Sequence, residues 1–219
     1  MSILSASRAA AAARAFICLA AVGLTFPNAS ATLIGDTVSI TLDSPNGTLN
    51  EGPDPISFLS DVVVGAGKEV ESGNGSDVGN FMLPGEWIDI GASSINLRVA
   101  AGYELSPTTF LTGLATGGRY IFSSLNDDAG TITGLTFSVG AGQITNLASL
   151  GSSWVRLSNP NTVIVELDKM TFATEYLGSN GYADITINLQ VTAVPEPGTA
   201  GMMLLGLGLL GLGLRKRQS

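Results

Sequence analysis

The sequence predicts an all-β fold: an antiparallel β-sandwich of the jelly-roll or immunoglobulin-like kind, with an apolar helical segment at each end of the chain. Three observations lead there. Between residues 32 and 193, short runs rich in Val, Ile, Thr and aromatic residues recur, and apolar and polar positions alternate within them. Clusters of Gly, Asn, Asp and Pro separate these runs, as tight connections require. No stretch of this region sustains the 3.6-residue apolar period of an amphipathic helix.

Taken in order, the first strand is the clearest. Val38, Ile40 and Leu42 alternate with Thr37, Ser39 and Thr41, so one face is apolar and the other polar. Further strands are expected at 56–64, 87–90, 95–99, 120–125, 132–139, 154–157, 163–167 and 185–191. Asn46-Gly47, Asn180-Gly181 and the Asn126-Asp127-Asp128-Ala129-Gly130 stretch supply the positive φ that short antiparallel connections need. Residues 71–80, Glu-Ser-Gly-Asn-Gly-Ser-Asp-Val-Gly-Asn, are too rich in Gly and polar groups for a strand and read as a loop. A turn or two of helix fits 143–151.

The two ends differ from this body. Near the amino end, Arg8 and Arg14 precede an apolar stretch over 15–24, then Pro27 and the small-residue pattern Ala29-Ser30-Ala31. That is the layout of a secretory signal peptide, with cleavage by signal peptidase expected after Ala31. At the other end Val194, Pro195, Glu196 and Pro197 lead into an uncharged run over 198–214, which stops at Arg215, Lys216 and Arg217. The prolines donate no ladder hydrogen bond and bias the residues before them away from helix, so this junction reads as extended. As a helix the apolar run spans roughly 25 Å, a little under the ~30 Å hydrocarbon core, which thinning and snorkelling basic side chains accommodate. The basic end would then lie on the cytoplasmic side. The organisation expected is a signal peptide at 1–31, a body at 32–193 and a membrane-spanning tail at 194–219, with a plain uncut anchor as the rival reading of the tail.

Composition removes most chemistry. There is no histidine, so Ser-His-Asp and Cys-His sites and the usual zinc ligand sets are excluded. Cys18 is the single cysteine and lies in the leader, so the body has neither disulfide nor thiolate. With 17 acidic and 5 basic residues over 32–193, the body carries 5 − 17 = −12, which repels nucleic acid and anionic membranes. Gly65-Ala66-Gly67-Lys68 lacks the spacing of a phosphate-binding loop. No catalytic residue, cofactor or metal is therefore assigned. Two carboxylates flanking a sugar bond remain chemically conceivable, with Glu86 and Asp89 or Glu166 and Asp168 as the pairs, although all four read first as ordinary surface charges. Asp127, Asp128 and the 74–80 loop offer oxygen donors for calcium without an EF-hand pattern. Trp87, Trp154 and Tyr103 are the aromatics from which a sugar-stacking platform could be built, against a plainer reading as core.

The three-part tail resembles a known signal. Val-Pro-Glu-Pro at 194–197, a short apolar span and a basic end are similar to the PEP-CTERM sorting signal of Gram-negative and related bacteria. Thr32-Leu33-Ile34-Gly35-Asp36 and Val64-Gly65-Ala66-Gly67 also resemble the β-rich bodies of one group of such proteins. The resemblance implies recognition of Pro195, Glu196 and Pro197 by an exosortase-type membrane protease, transient membrane association, and release at the cell surface or into extracellular polysaccharide and biofilm material. It implies no enzymatic activity. The expected protein is thus exported and non-enzymatic, with a carbohydrate-binding or carbohydrate-active module as the alternative.

Overall fold

The computed structural model describes residues 32–46, 54–100, 118–125, 130–173, 181–193 and 206–207. Within them the fold is all-β and antiparallel. One sheet holds β1 (Thr37–Ser44), β2 (Ile56–Val63), β6 (Arg119–Ser123), β8 (Val155–Asn159) and β9 (Thr162–Glu166), in the order β2-β1-β6-β9-β8. The other holds β3 (Val70–Glu71), β4 (Trp87–Ile90), β5 (Ser94–Ala100), β7 (Gly130–Val139) and β10 (Tyr182–Ala193), in the order β3-β4-β5-β10-β7. Two short helices, α1 (Asp77–Phe81) and α2 (Leu147–Leu150), lie between strands.

Alternation along the strands builds one core between the sheets. Val38, Ile40 and Leu42 of β1 are fully buried with Tyr120 and Phe122 of β6 and Val163 and Val165 of β9. The second sheet contributes Ile88, Ile90, Ile95, Leu97, Val99, Ile185 and Ile187 to the same cluster. Each such side chain stabilises the fold by about 1.5–3 kcal/mol relative to exposure. Phe137 of β7 meets the edge of Trp154, just before β8, at 4.8 Å between ring centroids and 69° between planes. β10 is the longest strand: it pairs with β5 from Tyr182 to Asn188 and with β7 from Ile185 to Ala193, with a bulge between Gln190 and Val191.

Several expectations need correction. The 71–80 segment is not simply a loop. Glu71 pairs with Trp87 in β3, and α1 begins after Ser76, whose Oγ accepts from the Gly79 amide at 3.0 Å. Asn74 Oδ1 accepts in turn from the Ser76 amide and hydroxyl, at 3.1 and 2.7 Å. These polar groups serve an N-cap, which is why a strand-or-loop reading missed the helix. A Cβ at position 79 would fall 2.2 Å from Asn74 Oδ1 and 2.7 Å from the Glu71 carbonyl, so the glycine lets the cap close. The strand expected at 154–157 instead starts at Val155, and Trp154 turns into the core. The strand expected at 120–125 stops at Ser123, because Ser124 takes φ of +60°. A turn of helix within 143–151 is present as α2.

Among the described residues no helix is long and apolar enough to cross a membrane. The leader and nearly all of the tail lie outside them, so the expected signal helix and transmembrane helix do too.

Candidate functional site

The candidate site is the junction of body and tail. β10 runs hydrogen-bonded to its last residue, with Val191 opposite Ile132, Thr192 opposite Thr131 and Ala193 opposite Gly130. The strand therefore delivers the chain to Val194 with no linker between the sheet and the Val-Pro-Glu-Pro sequence. Val194, Pro195, Glu196, Pro197, Arg215, Lys216 and Arg217 fall outside the described residues, as do the cleavage positions Ala29 and Ala31.

The carboxylates named from the sequence come together differently from what an active site would need. Glu86 was expected on the surface and is 1 % exposed. It closes the turn Leu83-Pro84-Gly85-Glu86, in which the Glu86 amide donates to the Leu83 carbonyl at 3.0 Å and Gly85 takes φ of +91°. Its Oε2 accepts from the Leu83 amide at 2.7 Å and its Oε1 from the Ala100 amide at 2.6 Å. Two backbone donors thus hold the carboxylate inside, where pairing compensates its desolvation. Burial first, and the Glu86 charge second, push the Tyr120 hydroxyl well above its ordinary range. Asp89 lies on the other face, since period two sends positions 86, 88 and 90 inward and 87 and 89 outward. These two carboxylates do not face one another.

Glu166 and Asp168 share an outward side but are not poised alike. Glu166 is bound by both Arg156 and Lys169. Partial burial raises its pKa, and the bonds from Lys169 and Arg156 more than reverse this, leaving it below the usual carboxylate range. Asp168 is pushed up, mainly by burial. With its oxygens committed to two cations, Glu166 is a structural ion-pair centre.

The aromatics named from the sequence are also separated. Trp154 is buried in the core, Trp87 sits on the outer face of β4, and Tyr103 lies outside the described residues. On that outer face Arg98 packs over the rings of Trp87 and Tyr182, at 5.7 and 5.6 Å, and Lys68 stands 5.6 Å from the Trp87 centroid. Arg98 also grips Asp184 through Nε at 2.6 Å and a terminal nitrogen at 3.0 Å. The hydrogen bonds from Arg98 hold the Asp184 carboxyl below its ordinary pKa. Sequence reasoning missed this group, because Arg98 and Asp184 become neighbours only through the register of β5 and β10.

Among the described residues no cluster of three or more His, Cys, Asp or Glu is placed to hold a metal ion. Of the 74–80 donors, Asn74 Oδ1 and Ser76 Oγ accept within the α1 cap, and Asp127 and Asp128 lie outside the described residues.

The chemistry of the chain is therefore most legible in its tail, and the comparison with protein families agrees. The model of the PEP-CTERM protein-sorting motif matches residues 193–218. The chain carries this motif, which supports an exported protein whose membrane-associated precursor is processed by an exosortase. No curated protein and no solved structure matches the chain.

Proposed function

We propose that this is a non-enzymatic protein of the cell surface or extracellular matrix. Signal peptidase removes residues 1–31. The apolar stretch of the tail then holds the precursor in the membrane, and an exosortase-type protease cuts near Pro195, Glu196 and Pro197. The freed body, a β-sandwich of the jelly-roll or immunoglobulin-like class, joins exopolysaccharide or biofilm material. The observation that carries this reading is the sorting-motif match over 193–218, beginning at the last residue of β10. The strong acidity of the body suits it, since a −12 surface stays soluble and clear of anionic lipid once released.

The test is Glu196→Ala in the producing cells, followed by fractionation. The expected result is accumulation of the uncut chain in membranes and loss of the body from the surface and medium. Undiminished release of the Glu196→Ala and Pro195→Ala variants would overturn the reading.

A further inference from the structure

The described sheet edges are protected very unevenly. β3 is two residues long, and β8 ends in exposed Ser158 and Asn159. β7, ten residues long, turns Thr131, Thr133, Thr136 and Ser138 outward. These are the short or polar edges by which soluble proteins avoid unwanted strand pairing.

β2 is different. Among the described residues it pairs on one side only, with β1, in a register that runs unbroken from Thr37 opposite Val63 to Ser44 opposite Ile56. It contains no Pro, no Lys and no bulge. On its outer side Leu59 is 51 % and Val63 66 % exposed. Ile34, also exposed, lies beside its end, where the Gly35 amide donates to the Val64 carbonyl at 2.8 Å. Exposed Phe81 stacks on Phe58 of the same strand at 3.5 Å. With Leu207 of the tail, these four are the large apolar side chains left exposed among the described residues. The strand carries a single charge, Asp61, which accepts from the Ser39 hydroxyl on β1 at 2.5 Å. The α1 helix covers the inner side of β2, where Ser60 Oγ accepts from the Val78 amide at 3.1 Å, and no other described strand lies along the edge.

We propose that β2 is a self-association edge, at which a second copy of this chain adds its own β2 in antiparallel fashion and joins two five-stranded sheets into one. The strand is self-complementary in one register. With Leu59 opposite its own counterpart, Ser57 faces Asp61, Phe58 faces Ser60 and Ile56 faces Val62. Hydroxyl then meets carboxylate, large meets small, and no two carboxylates oppose each other. A shift that brings Asp61 opposite Asp61 is disfavoured by like-charge repulsion, a one-residue slip sets the outward Leu59 against a residue of the opposite face, and a two-residue slip can place Leu59 opposite Asp61. The two-fold arrangement is closed, so it yields a dimer. Main-chain hydrogen bonds supply affinity and the apolar pairs supply register, as in strand addition generally. Because each body carries −12, association strengthens as salt rises. This inference is independent of tail processing.

The test uses the full chain with Cys18→Ala, which leaves no thiol. Leu59→Cys is added, and Thr136→Cys on the outer face of β7 serves as control. Under mild oxidation Leu59→Cys is expected to give a disulfide dimer at least tenfold faster than the control. Sedimentation of the cysteine-containing natural chain in reductant is expected to give twice the chain mass at tens of micromolar, the range of a modest interface. Leu59→Lys with Val63→Lys is expected to halve that mass. Cross-linking no faster than the control overturns the proposal. So does a natural chain that stays monomeric, or a dimer that survives both lysines and is therefore held by another surface.

Discussion

Glu86 and Glu196 each follow a proline closely, in Pro84-Gly85-Glu86 and Pro195-Glu196-Pro197, yet the protein uses them in different ways. Glu86 acquires its role from the fold. A tight turn and the end of β5 bring the Leu83 and Ala100 amides to its two oxygens inside the core. The role proposed for Glu196 rests on sequence alone, since it stands between two prolines within the sorting motif matched over 193–218. The body stores its information in three-dimensional pairing and the tail stores its information in order along the chain. Damage to one should leave the other intact.

The largest expected effect breaks the body without touching the signal. Glu86→Gln keeps one acceptor but sets its NH2 group against a backbone amide, leaving a buried donor unpaired. The expected cost is about 2–3 kcal/mol, within the range for losing a charge-assisted hydrogen bond in the core. That corresponds to a fall in Tm of roughly 4–12 °C for a domain of this size. The tail counterpart, Glu196→Ala, is expected to change unfolding by less than about 0.5 kcal/mol, as for a substitution away from any packed core. Urea denaturation of both variants checks the contrast, and equal losses would break it.

A smaller effect comes from the outward ion pairs. The carboxyls of Asp184 and Glu166 are both held below their ordinary range. For a lowered acid pKa, the stabilisation is complete above the unfolded value near 4 and is lost as pH falls through the folded value. Asp168, raised by burial, works in the opposite sense, because its charged form is disfavoured in the fold. Stability is therefore expected to fall between about pH 5 and pH 3, by about 0.5–1 kcal/mol for each of the two lowered groups after allowance for their exposed partners. Arg98→Ala should remove the Asp184 share of that fall and Arg156→Gln part of the Glu166 share. Acid unfolding of the two variants at low and high salt measures it, and an unchanged slope in both would contradict the assignment.

Much of the fold was legible where one face of a strand is apolar and the other polar. β1 alternates in sequence and in burial, and β4 occupies 87–90 as its Trp-Ile-Asp-Ile pattern implies. β3 was not legible, because two residues show no period. Neither was the exposure of β2: Phe58, Leu59, Val62 and Val63 are all apolar, so alternation cannot tell its inner face from its outer one. Glu86 looked like a surface charge because nothing in its neighbours foretells that the Ala100 amide will arrive fourteen positions later in the chain. The Arg98–Asp184 pair, 86 residues apart, likewise depends on strand order, which a single chain does not display. The sorting tail was legible because it is a linear motif, in which an uncharged apolar run and a basic end follow Val-Pro-Glu-Pro.

Intact-mass spectrometry of the protein from producing cells and their medium shows whether the body is exported and separated from its tail. The expected result is a released species that lacks residues 1–31 and ends near Pro195. A single species in the membrane fraction that still carries Arg215, Lys216 and Arg217 would contradict it and leave a simple anchor.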